Sequence, residues 1–323
     1  MERLDRAWLQ AHPLPRLDEG GDKHARGVVM IVGGAAFVPG ALRLTGEAAL
    51  RAGAGKLRLA TVREAATPLG VLVPEASMTA LPSDDEGELA ASAAEQIVAK
   101  LDRCDTLVLG PGMSATDQTE RLVADVLKSA PASLTLVLDA GALSVAGALK
   151  DAIARHGRTV MTPHHGEMSA LTGLEVEDIA ADPEAVAERA AREFNAAIAL
   201  KGEQTVVASP DGPPARFEGG NIGLATSGSG DVLAGLVGGF AARGAEPMVA
   251  AAWGVFVHGT AGERAAGAFA TVGYLARDLL PTVPGIVAGI QRLAPAASTA
   301  GQGVGLGGRL PTSRGSDSLL VSS

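Results

Sequence analysis

"TLVLG" at residues 106–110 and "TLVLD" at 135–139 decide the fold. Each is a run of apolar residues too short for a helix, closed by a glycine or an acid. A strand that is apolar on both faces belongs in a sheet covered on both sides, and that is the usual state of a parallel sheet. Similar runs lie at "VVMIVGG" (28–34), "KLRLAT" (56–61) and "TVMTPH" (159–164), with helical patterns between them at 41–52, 88–101, 118–129 and 141–154. Strands alternating with helices predict an α/β fold with a mostly parallel central sheet. After "AIALKG" (197–202) the pattern changes. "TVVASPDGPPARFEGG" (205–220) reads as a hairpin turning at Pro-Asp-Gly on one edge of the sheet, and helices follow at 232–242, 248–266 and 274–280.

Each strand leaves through a polar or glycine-rich exit: "VGG" (32–34), "GPG" (110–112), "DAG" (139–141), "TPHHGE" (162–167) and "KGEQT" (201–205). Ligands of open α/β sheets bind outside the carboxyl ends of the strands, where loops converge and helix N-termini offer amide donors. Any single exit could be only the end of a strand. Together, with a histidine, carboxylates and a lysine among them, they imply one composite site. In "GNIGLATSGSGDVLAG" (220–235), Gly228 and Gly230 allow close approach to a ligand, and the following helix presents unpaired amides suited to phosphate. Asp231, at the junction, is either a simple N-cap or a general base taking a proton from a substrate hydroxyl; the spacing alone leaves both open.

Composition narrows the classes. The chain has 323 residues, 47% of them hydrophobic and 3% aromatic, enough for a sizeable core of small aliphatic side chains. A net charge of -9 argues against a nucleic-acid or anionic-membrane partner. The single cysteine, Cys104, excludes an internal disulfide and reads as a packing residue. The N-terminus carries no apolar signal core and no segment offers eighteen uninterrupted apolar residues, so the cytoplasm is the expected location. Residues 1–22 read as an N-terminal arm, 23–294 as one domain and 295–323 as a flexible Gly/Ser-rich tail. Several motifs are missing: G-x-x-x-x-G-K-[ST], G-x-G-x-x-G after the first strand, G-x-S-x-G and H-E-x-x-H. His165-Gly-Glu167 satisfies half of a zinc-deaminase signature, but no P-C-x-x-C completes it.

Taken in order, residues 22–57, "LVLGPGM", "LVLDAGAL", "TPHHGEMSALTG", "LKGEQTVVASPDG", "GLATSGSGDVLAGLVGGFAARG" and "GVFVHGTAGERAA" resemble the ADP-dependent NAD(P)H-hydrate dehydratase family across nearly all of 23–290. The sequence departs at His165, where such enzymes usually have proline, and at Ser227 and Ser229, where glycine and threonine are common. Serine keeps the hydroxyl, so the phosphate hole stands.

The resemblance implies a ribokinase-like three-layer α/β/α sandwich. The activity it implies restores NADH or NADPH from the S-epimer of its hydrated form, with ADP as phosphoryl donor and Mg2+ as cofactor, giving AMP and phosphate. Asp231 would be the catalytic base. Lys201, Gly202, Glu203, Gln204, Thr205, Gly228, Ser229 and Gly230 would contact the nucleotide; Ala41, Gly112, His164 and Asp231 would contact the hydrated dinucleotide. Relatives often carry an epimerase domain, and with about twenty residues before the match this chain is expected to lack that activity. A homo-oligomer, a tetramer by family habit, is expected.

Other readings of single residues stay open. Lys201 could be a surface ion-pair partner, and His164 a core histidine bonded to a backbone carbonyl. Asp139 and Glu167 could orient substrate or Mg2+, or cap helices. His258 is structural or lines the nucleotide pocket, and His165 is read as facing solvent. The rival function is a ribokinase-like kinase of a small vitamin-precursor or sugar alcohol; a nucleotide-sensing protein without chemistry is the non-enzymatic one.

Overall fold

A computed structural model describes residues 1–16 and 26–292. The tail expected at 295–323 lies outside the described residues. The chain opens with β1 (Glu2–Arg3) and α1 (Arg6–Ala11), then runs β2 (Val28–Val32), α2 (Gly40–Ala52), β3 (Lys56–Val62), α3 (Arg63–Leu72), β4 (Ala76–Leu81), α4 (Ala93–Val98), β5 (Thr106–Leu109) and α5 (Asp117–Ser129). It continues through β6 (Thr135–Leu138), α6 (Ala140–Ser144), α7 (Lys150–His156), β7 (Thr159–Met161), α8 (His165–Thr172), α9 (Val176–Ala181) and α10 (Pro183–Phe194). Last come β8 (Ala197–Leu200), β9 (Thr205–Ala208), β10 (Ala215–Phe217), α11 (Ser229–Ala242), α12 (Pro247–Ala268), α13 (Ala276–Leu279) and α14 (Val283–Gln291).

The ten strands form one sheet in the order β1-β10-β9-β8-β7-β6-β5-β2-β3-β4. Every pairing from β8 through β4 is parallel; only β9 runs against its neighbours. The two runs that decide the fold, β5 and β6, are adjacent and wholly buried, as their unbroken apolar sequence requires. Helices α2, α11, α12 and α14 pack together as one layer, while α4, α5, α7 and α10 form the chain of contacts in the other.

Three details differ from the sequence reading. The first residues join the domain's own sheet: β1 pairs with β10, and α1, capped by Asp5, buries Trp8 and Leu9. The β9–β10 hairpin is therefore one strand in from the edge. The helix expected over 141–154 is split into α6, a 3-10 turn at 146–149 and α7. A Cβ on Gly141 would meet the Met113 main chain, so α6 is short and pressed against the loop after β5.

Candidate active site

Strands β2, β5, β6, β7 and β8 are consecutive parallel neighbours, so their five exits lie on one edge of the sheet. The loops touch backbone to backbone. A Cβ on Gly33 would run into the Pro111 carbonyl oxygen, and one on Gly110, which has φ +119°, into that of Asp139. Ala140, directly after Asp139, is held at φ +46°. For a residue with a side chain this left-handed geometry costs on the order of 1 kcal/mol, and such strain collects at functional sites.

Helix α11 delivers Asp231 to this edge. Twelve of its fourteen residues are buried, so it is apolar around its whole circumference. Gly235 and Gly239 face α2, where added Cβ atoms would collide with the Thr45 and Ala49 carbonyl oxygens; Gly238 faces Val108 of β5. The glycines let α11 lie against a helix and the sheet at once, which fixes its first turn.

That first turn carries no side-chain cap: Gly228 at φ +86° occupies the cap position. The Ser229 N–H reaches the Thr226 carbonyl (3.2 Å) and that of Val232 the Gly228 carbonyl (3.1 Å), while the Gly230 and Asp231 amides have no acceptor among the described residues. Asp231 is therefore not an N-cap. Its half-buried carboxylate accepts no hydrogen bond among the described residues, and its pKa is pushed up to about 7, first by burial, then by the like charge of Asp139, against an opposing pull from Lys201. A carboxylate balanced near neutral pH suits a general base.

Lys201 sits at the centre of the edge. Its ammonium lies 3.7 Å from Asp139 Oδ1 and 3.6 Å from Glu167 Oε2, and a Cβ on Gly230 would be 3.7 Å from it. It is thus an ion-pair partner, in the site rather than on the outer surface. Asp139 is almost fully buried, makes no helix-capping bond and accepts a 2.7 Å hydrogen bond from the Thr162 hydroxyl. Glu167 does cap: His164 and Glu167 form a reciprocal capping box on α8, with bonds of 2.8 and 3.1 Å. His164 is exposed and borders a cavity of about 380 Å³ together with Gly141, Ser144 and Glu167. It is not a core histidine.

A second cavity, about 490 Å³, contains Asp231, Gly228 and Ala41. Gly112 lies against Ala41, since a Cβ there would come within 2.9 Å of the Ala41 side chain. Residues 202–204 form the exposed turn between β8 and β9, with Lys201 and Thr205 at its base. Ser229 is turned inward: its hydroxyl is 2.9 Å from His258 Nε2, and burial pulls that imidazole down to about 4, so it is neutral at physiological pH. His258 is therefore a structural partner of Ser229. Cys104 lies beside Arg58, and burial pushes its thiol up, as expected of a packing residue.

Comparison with known proteins matches this geometry to one family. A sequence model described as NAD(P)H-hydrate dehydratase matches residues 29–285. The chain is 48% identical over 281 residues to the ADP-dependent (S)-NAD(P)H-hydrate dehydratase of Xanthomonas campestris pv. campestris, covering 87% of this chain and 94% of that one. The chain belongs to the NAD(P)H-hydrate dehydratase family. It is also 37% identical to the bifunctional NAD(P)H-hydrate repair enzyme of Moorella thermoacetica, covering 93% of this chain and spanning about half (56%) of that longer protein. Among solved structures, the ADP/ATP-dependent NAD(P)H-hydrate dehydratase of Bacillus subtilis, co-crystallised with ATP and Mg2+, is similar at a TM-score of 0.75 and 26% identity, covering 90% of this chain and 98% of that one. Ribokinase-like proteins of lower identity share the fold.

The edge brings expected residues into three groups. Lys201 and Gly230 face each other, Asp231 shares a cavity with Ala41, and His164 borders the other cavity. Three neighbours escaped the sequence reading. Thr162 anchors Asp139. His165, expected to face solvent, is half-buried, with its ring against Gly202, where an added Cβ would come within 3.0 Å of Nε2. Arg277 lies on the cavity of Asp231. The "TPHH" exit held a signal for the first two; nothing in the sequence linked residue 277 to residue 231.

Proposed function

We propose that this chain dehydrates the S-epimer of hydrated NADH and NADPH with ADP as phosphoryl donor, producing NAD(P)H, AMP and phosphate. The observation that carries the reading is Asp231: a carboxylate balanced near pH 7, which together with the two neighbouring amides has no hydrogen-bond partner among the described residues, and which lies beside the Lys201 ammonium. Hydroxide is a poor leaving group and phosphate a good one. Asp231 takes the proton of the ring hydroxyl as its oxygen attacks the β-phosphorus of ADP and AMP departs. The Gly230 and Asp231 amides and Lys201 stabilise charge on the transferring group. The lone pair on the ring nitrogen then expels phosphate, and loss of a proton from the adjacent carbon completes the double bond.

In this reading Lys201–Thr205 and Gly228–Gly230 hold ADP, and Ala41, Gly112, His164 and Asp231 hold the acceptor. Two cavities on the one edge suit an acceptor with two halves better than a small alcohol. No three His, Cys, Asp or Glu residues converge as a metal cage among the described residues, and Lys201 already pairs with Asp139 and Glu167. Mg2+ would then arrive on the nucleotide phosphates, Asp139 and Glu167 would be the carboxylates to hold it, and it would supply charge neutralisation. A cytoplasmic homo-oligomer, a tetramer by family habit, completes the proposal; no helix among the described residues is long and apolar enough to cross a membrane.

The test is direct. Incubation with ADP and chemically hydrated NADH should restore nicotinamide absorbance with equal amounts of AMP and NADH formed. No recovery, alongside phosphorylation of a thiazole or pyrimidine alcohol, would replace the reading with that of a small-molecule kinase.

A further inference from the structure

The cavity that contains Asp231 has a charge balance opposite to that of the chain. The protein carries a net charge of -9, yet the charged side chains lining this cavity are two guanidinium groups, Arg43 and Arg277, and the one carboxylate of Asp231. Leu44 and Ala276 flank Gly228 from two sides: a Cβ there would meet their side chains at 2.5 and 3.3 Å. Arg43 and Arg277, each next in sequence to one of these, line the same cavity as Gly228 and Asp231. Arg43 is shared with Glu47, one helical turn away at 2.9 Å. Arg277 is exposed and makes no ion pair among the described residues. Exposed Phe37, Val38 and Leu275 complete the rim with apolar surface.

An unpaired guanidinium at a cavity mouth is suited to a phosphate, which it can grip through two parallel N–H bonds. Of the nucleotide groups assigned above, Lys201–Thr205, Ser229 and Gly230 do not line this cavity; Gly228 alone does, where the two binding regions meet. With the dihydropyridine ring at Asp231, the nearest phosphates of the acceptor are those of the pyrophosphate joining its two halves. We infer that Arg277, assisted by Arg43, binds the pyrophosphate of the hydrated dinucleotide and so selects a phosphorylated acceptor over the free riboside. This rests on the dehydratase reading.

The experiment compares wild type with Arg277→Ala and Arg43→Ala on three acceptors: hydrated NADH, hydrated NADPH and the hydrated, phosphate-free dihydronicotinamide riboside. For Arg277→Ala the expected result is a KM for hydrated NADH and hydrated NADPH raised about tenfold alike, with kcat and the KM for ADP within a factor of about two. Arg43→Ala should show a smaller rise, because Glu47 already occupies part of that guanidinium. The riboside should not distinguish Arg277→Ala from wild type. An unchanged KM for the dinucleotides, a rise confined to hydrated NADPH, a rise in the KM for ADP, or an equal loss on the riboside each overturns the assignment. If wild type turns over none of the three, the dehydratase reading has failed. Calorimetric binding of NADH then decides on the site: about tenfold weaker binding to Arg277→Ala retains it, and equal binding removes it.

Discussion

Among the helices that begin at the functional edge of the sheet, two treat their N-termini in opposite ways. Helix α8 caps itself: His164 and Glu167 satisfy each other's backbone amides in a closed box. Helix α11 starts at a left-handed glycine with no side-chain cap, and its Gly230 and Asp231 amides and the Asp231 carboxylate have no partners among the described residues. A capped terminus is complete without a ligand. The open one keeps its donors and its dipole for an anion, and the fold tolerates this because α11 is held by packing along its length. The contrast separates a helix start that is closed on itself from an open one on the same edge.

The largest effect should come from the open terminus. Asp231→Asn keeps the shape and removes the base, so kcat should fall by about 10³-fold while ADP affinity stays within a few-fold. The pH profile gives the sign independently. Since the carboxylate must be ionised and titrates at about 7, kcat/KM should rise about tenfold per pH unit up to pH 7 and level off above it. A flat profile between pH 5 and 8, or an Asn variant that retains full turnover, would reduce Asp231 to a structural residue.

Glycines sharpen the comparison next. Gly235 lies in the packed part of α11, where a Cβ would strike the Thr45 carbonyl, so Gly235→Ala should destabilise the protein by about 1–3 kcal/mol despite alanine's better helix propensity. Gly230 lies in the open turn, where a Cβ would have the flexible end of Lys201 as its nearest neighbour, at 3.7 Å. Gly230→Ala should leave the melting temperature unchanged or higher and weaken ADP. Equal melting temperatures for the two variants would mean that α2 and α11 are not locked together as described.

Much of this was legible in sequence because it is periodic or local. Runs such as "TLVLG" and "TLVLD" mark buried parallel strands, and the exits follow them directly. The edge strand β4 and helix α3 escaped because Ala76–Leu81 is mostly half-exposed and neither element has a continuous apolar run. The role of Asp231 stayed open between cap and base because the choice depends on neighbours from other strands. Lys201, Asp139 and Thr162 become neighbours only through the order β8-β7-β6, which no local pattern encodes. Arg277 is a still more distant case, placed by the packing of α13 against α11 and α12.

The smallest effects test the closed terminus, and there Glu167 performs two tasks that can be separated. Its carboxylate accepts the His164 N–H at 2.8 Å and lies 3.6 Å from the Lys201 ammonium. Glutamine at the same position can still close a capping box, but cannot neutralise lysine. Glu167→Gln should therefore retain stability to within about 0.5 kcal/mol, whereas Glu167→Ala, which opens the box, should cost about 1 kcal/mol in a denaturant titration. Both variants leave Asp139 as the sole carboxylate paired with Lys201, so both should change ADP affinity by the same few-fold. If Gln were as destabilising as Ala, the ion pair rather than the cap would hold the start of α8, and the two helix ends would differ less than their geometry implies.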